Sequence, residues 1–155
     1  MNFPKLLFII LACFLAACNH SSSFDREVWI DNPDMEDTSN PRAWMVQDVM
    51  KNHLKSGMSR KAVLDLLGKP YHEGIERRLS KNTALPDSIS FENDENLKPE
   101  NSDKAMDAIN NFYRLYANPV MIIRYPVGWS TIDPNFLIIK LNDKRQVEEY
   151  WVEQS

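Results

Sequence analysis

The chain has 155 residues, 18 basic and 22 acidic, giving a net charge of −4 with histidines neutral. That length fits one domain. The acidic balance, broken only by the pair Arg77-Arg78, excludes a nucleic-acid-binding surface of the usual basic kind.

The first element is not a fold element. Lys5 precedes an apolar run from Leu6 to Ala17 that is too short for the roughly 20 residues a membrane-spanning helix needs. A cationic start, a short apolar middle and the small residues Ala16 and Ala17 describe an export signal over residues 1–17. Leu15-Ala16-Ala17-Cys18 resembles the lipobox of bacterial lipoproteins. The resemblance implies that Cys18 carries a diacylglycerol and an N-acyl chain, and it implies no other cofactor. Two or three acyl chains hold a protein on a bilayer, where one does so only marginally. In the same pattern an aspartate after the cysteine retains the protein at the inner membrane, so Asn19 points to the outer membrane, periplasmic face. Cys13 falls in the signal, so the mature chain keeps no thiol for a disulfide.

Residues 18–39 are polar and acidic and read as a lipidated tether, with Phe24, Trp29 and Ile30 as apolar exceptions free to dock on the domain. Asp31, Asp34, Glu36 and Asp37 lack the alternating spacing and central glycine of a calcium loop. A first helix is predicted from an Asn40 cap and Pro41, with Met45, Val46, Val49, Met50 and Leu54 as its apolar stripe. Gly57 ends it. Ser59 caps a second helix bearing Ala62, Val63, Leu66 and Leu67, which Gly68 and Pro70 terminate.

An excursion over about 74–118 follows, polar at first, then an amphipathic helix over 103–117 with Met106, Ile109, Phe112, Tyr113 and Tyr116 on one side. Three strands complete the domain: 120–125, 136–141 and 146–152, joined by short turns that favour an antiparallel meander. Alternation assigns Met121, Ile123, Tyr125, Leu137, Ile139 and Leu141 to the core face. The last strand stays ambiguous, because Glu148 and Glu149 have opposite parities. Val120, Ile122, Phe136 and Ile138 make the other face too apolar to leave wet. Either the inserted helix covers it or a partner does; cover by the helix is the expectation.

The fold expected over residues 40–153 is therefore α+β: two N-terminal helices packed on a three-stranded antiparallel sheet, with an inserted amphipathic helix. Leu54 to Pro70, "LKSGMSRKAVLDLLGKP", resembles the signature of the SmpA/OmlA (BamE-like) family of small outer-membrane lipoproteins: a glycine turn, Met-Ser, a short helix closing Leu-Leu-Gly, then proline. "YPVG" at 125–128 and the last two strands are similar to the sheet of that wider class. The resemblance covers roughly residues 40–73 and 119–152 and does not extend to the excursion. It implies an envelope binding module, with an accessory role in outer-membrane β-barrel assembly as one of its tasks.

No spacing in the chain points to catalysis. His20, His53 and His72 have no second histidine at metal-ligand distance, His72-Glu73 reads as a solvated turn, and no serine sits in a nucleophile elbow. Aromatics are the better lead. Tyr125 and Trp129 flank the first sheet turn, while Tyr150 and Trp151 lie on opposite strand faces; these four are candidate binding residues. For Trp151 and Tyr150, packing under the inserted helix is the competing account. The expectation is a lipid-anchored, non-enzymatic adaptor, its partners the membrane and envelope proteins such as barrel-assembly components, with no nucleic acid and no small-molecule substrate. The alternative is a lipoprotein of a dedicated secretion or surface apparatus, or an inhibitor of an envelope enzyme, with the excursion as the specific element.

Overall fold

The computed structural model describes residues 22–80, 82–90 and 93–154. Its elements are α1 (Arg26–Asp31), α2 (Arg42–Asp48) running into a π-helical turn (Val49–His53), α3 (Arg60–Leu67) and β1 (His72–Arg78). Then come α4 (Asp94–Leu97), α5 (Pro99–Tyr116), β2 (Asn118–Trp129), β3 (Pro134–Leu141) and β4 (Val147–Gln154). The architecture is α+β. The sheet has four strands in the order β1-β2-β3-β4, each pair antiparallel, so the expectation of three strands is corrected.

The added strand, β1, reads HEGIERR and carries one large apolar residue, Ile75, which is 70% exposed. Its sequence has no strand periodicity to see. It forms because its charged side chains find partners across the sheet, a tertiary gain that overrides local preference. The excursion is correspondingly shorter than residues 74–118.

The two ends of α3 follow the sequence closely, whereas the helical run before it stops at His53, with Leu54 already extended, and Gly57 makes the turn beyond it instead of ending the helix. Ser59 accepts from the Ala62 amide to cap α3. Gly57 and Gly68 take φ of 84° and 76°, the left-handed values that only glycine adopts without strain. At Gly68 a Cβ would also lie 3.1 Å from Ile30 Cγ1, because α1 packs directly on this turn. Helix α2 starts at Arg42 rather than Pro41, and Asn40 Oδ1 still accepts from the Arg42 amide at 3.0 Å.

The segment from Ser22 to Ser39 is not a tether. Asp25 caps α1 by accepting from the Glu27 and Val28 amides. That turns Trp29 into the centre of the main core, where it is 0% exposed and packs with Phe24, Tyr125, Val49, Leu54, Val63 and Leu67. A chain so polar overall reads as linker, but one large aromatic buried completely is enough to dock it.

The expected core face is observed: Ile123, Tyr125, Leu137, Ile139 and Leu141 are buried and Met121 packs at their edge. In β4 the register moves from Lys140↔Glu149 to Leu141↔Val147, leaving Glu148 as a bulge. The extra residue lets Val147, Tyr150 and Val152 all face the core, and it resolves the parity conflict of the two glutamates.

The opposite face is sealed, but not by the inserted helix. Ile122, Phe136 and Ile138 are buried, with Met35, Val120 and Trp151 packed against them. Over the same face lie Arg124, Glu76, Arg78 and Glu153. Long guanidinium side chains thus supply the cover that alternation seemed to demand of another element.

Candidate functional site

All four aromatics proposed from sequence are engaged inside the protein. Tyr125 has no exposed surface, and its hydroxyl donates to the Gly68 carbonyl at 2.9 Å, so it is a core residue and not a binding anchor. Burial pushes its phenol up. The Tyr150 hydroxyl donates to the Leu54 carbonyl at 3.1 Å, and Trp129 Nε1 donates to the Met35 carbonyl at 2.7 Å. Trp151 Nε1 donates to Glu153 Oε2 at 2.9 Å, with the Arg78 guanidinium 5.3 Å from its ring. Tyr125, Trp129 and Tyr150 reach backbone oxygens that only the folded chain brings near, while Trp151 reaches a carboxylate two residues on along its own strand.

The charged cover of the outer sheet face is one connected network. Arg124 grips Glu76 through two bonds of 2.8 Å. Arg78 reaches Glu76 at 3.1 Å and, from the first strand, Glu153 of the last at 2.7 and 3.0 Å. At Glu76 and at Glu153 burial is the largest single influence and pushes the carboxyl up. The hydrogen bonds and charges of the arginines, with the Trp151 indole at Glu153, outweigh it and hold both below the usual range. Glu73 faces the other side, bonded to Arg60 at 2.6 and 2.7 Å, which lowers it too. His72 and Glu73 therefore point apart and form no acid–base pair. Among the described residues no group of His, Cys, Asp and Glu could hold a metal ion.

At one end of the molecule the chain emerging from the N-terminus is fastened to α2. The Ser22 amide donates to the Trp44 carbonyl at 3.1 Å, the Phe24 amide to Asp48 Oδ2 at 2.8 Å, and the Asp25 amide to Met45 Sδ at 3.3 Å. The Phe24 amide is the main reason the Asp48 carboxyl lies below its usual range. The Trp44 side chain is 55% exposed beside this attachment. Cys18 lies outside the described residues. It is four residues before Ser22, a reach of at most ~14 Å for extended chain.

At the other end stands α5. Its apolar residues Met106, Tyr113, Leu115 and Tyr116 are exposed, and Phe112 and Tyr116 stack at 4.6 Å. Met106, Ile109, Tyr113 and Tyr116 recur at three- and four-residue steps, so they share one helix face. The helix is pinned where it ends, by Arg77 donating to the Arg114 and Ala117 carbonyls at 3.0 and 2.7 Å. It then enters β2 at Asn118, whereas Ala43 of α2 packs on Gly128 near the far end of that strand. Ten residues of strand separate the two points, about 33 Å by strand rise.

A third feature lies against α1. Arg42 is 1% exposed, donates from Nε to the Trp29 carbonyl at 2.7 Å and from Nη1 to the Pro126 carbonyl at 3.4 Å, and stacks 4.9 Å from the Trp29 ring centroid. Burial lowers it to about 10, with a small opposing pull from Tyr125. It has no carboxylate partner among the described residues. A groove runs over it, walled by Ile30 and Pro33, floored by Leu67 and rimmed by Lys69 and Tyr71.

No protein-family model, curated protein or solved structure matches this chain.

The three features were unequally visible in the sequence. The α5 stripe follows from periodicity. Arg42 reads as an ordinary surface residue at a helix start, and nothing in its neighbours announces burial. Trp44 stands out only because the Met45–Val46–Val49 stripe leaves it on the other side of the helix.

Proposed function

We propose that the protein is a lipid-anchored adaptor on the periplasmic face of the bacterial outer membrane, with α5 as its partner-binding element. The observation that carries this reading is the arrangement of two surfaces along β2. The attachment of Ser22 to Trp44 lies towards one end, and the exposed apolar face of α5 begins at the other. An acyl group on Cys18 then holds the domain within ~14 Å of leash, tighter than a 20-residue tether would allow. Confinement to so thin a layer raises the effective concentration of α5 for membrane-embedded partners. Among the described residues no helix is long and apolar enough to cross a membrane, and this reading requires none.

The helix–turn–helix at Leu54–Pro70, with the antiparallel sheet behind it, supports a BamE-like scaffold and, through it, an accessory role in β-barrel assembly. The exposed stripe of α5 favours a second reading, in which a dedicated apparatus or an inhibited envelope enzyme is the partner and the excursion gives specificity. Photocrosslinkers at Tyr113 and Tyr116 in cells separate the two. Adducts with barrel-assembly components support the first; a single unrelated envelope protein supports the second; no protein adduct at either position refutes α5 as the binding element.

A further inference from the structure

A buried guanidinium is ordinarily matched by a carboxylate, because desolvating a charge without a counter-charge is costly. Arg42 departs from that rule. It is 1% exposed, and two of its five N–H donors go to peptide carbonyls, at Trp29 and Pro126, which carry no net charge. The half-buried arginines are paired in the ordinary way, Arg60 with Glu73, Arg78 with Glu153 and Arg124 with Glu76, and those that bond only uncharged groups, such as Arg77, are exposed.

The groove above Arg42 has the complementary character. Its lining includes a second cation, Lys69, and no carboxylate; the rest is apolar, chiefly Ile30, Pro33, Leu67 and the Tyr71 ring. Arg42 and Leu67 are buried at its base, while Pro33, Lys69 and Tyr71 are exposed at its rim. A fixed guanidinium fork is suited to a planar or tetrahedral oxyanion, and a flexible ammonium at the rim closes over it as a point charge.

We propose that this groove binds a small organic anion, a carboxylate or phosphate ester on an apolar body, with the anionic head on Arg42 and Lys69 and the body against Ile30, Leu67 and Tyr71. The bound anion supplies the counter-charge that no carboxylate among the described residues supplies. The site does not depend on the lipid anchor or on α5.

The test is a titration of the full chain, as purified from cells, followed by the NMR signals of the Arg42 Nε–H and of the Trp29 indole stacked under it. Phenylacetate and phenyl phosphate are the probes. Benzyl alcohol supplies the ring without charge, and inorganic phosphate the charge without the ring. Saturable shifts are expected with one or both organic anions, at least about tenfold tighter than with either control. A preference between the two anions identifies the head group. Lys69→Ala, at an exposed position, should weaken binding by about tenfold with the rest of the spectrum unchanged. Arg42→Met should abolish it. Equal binding of benzyl alcohol, shifts that never saturate, or unchanged affinity in Lys69→Ala overturns the proposal, even if Arg42→Met fails to fold.

Discussion

The amide of Ser22 bonds the carbonyl of Trp44 and, with the amides of Phe24 and Asp25, fastens what reads as a free linker to α2 beside an exposed indole. Under the proposed anchoring, Trp44 is the exposed side chain placed to meet the lipid–water boundary, where tryptophan is favoured. In liposomes with brominated acyl chains, the lipidated protein should show quenching that Trp44→Phe removes, while Trp29, Trp129 and Trp151 remain bright. Quenching that persists in the variant would place another residue at the membrane. A bare thiol at Cys18 by mass spectrometry would remove the anchor altogether.

Trp29 should be among the most sensitive positions in the chain. It is wholly buried in the core formed by α1, the helical pair and the sheet, and Trp29→Ala should cost about 3–5 kcal/mol in urea unfolding. Its indole N–H has no hydrogen-bond partner among the described residues. Trp29→Phe therefore loses volume but also an unsatisfied donor, and should cost only about 1–2 kcal/mol. Equal losses in the two variants would mean that the indole nitrogen is satisfied in solution.

The arginine-paired carboxylates on the two faces of the sheet set an acid limit. Glu73, Glu76 and Glu153 are all held below the ordinary glutamate value of 4.5. A carboxyl lowered on folding contributes stability that is present above its unfolded value and lost as pH falls through its folded one. The urea midpoint should stay flat from pH 7 to about 5 and then fall. Glu76→Gln should lower stability by roughly 1–3 kcal/mol at pH 7 and flatten part of the acid decline. A midpoint that rises below pH 4.5 would contradict these assignments.

Substitutions on the exposed face of α5 should separate binding from folding. Met106→Ser and Tyr116→Ser remove side chains that are about half exposed, Tyr116 losing its contact with Phe112, so unfolding should shift by no more than about 1 kcal/mol. Partner crosslinking should be lost. A loss of several kcal/mol would show that the stripe is structural after all.

Much of the architecture was legible because it depends on nearest neighbours in sequence. The Ser59 cap, the glycine end at 68, the left-handed turn at Gly57, the stripe of α5 and the inward alternation of β2 and β3 are local rules with local consequences. The lipobox resemblance at Leu15–Cys18 is likewise linear text, and the proposed anchor rests on it. Tertiary structure alone decided the rest. It recruited HEGIERR into the sheet through Arg124 and Glu153, buried Trp29 from within a polar segment, and closed the outer face with arginines where a helix was expected. It also placed Arg42 inside without a carboxylate. Charged and isolated aromatic residues carry no periodic signal, because their energies depend on partners dozens of residues away, and those partners exist only once the chain has folded.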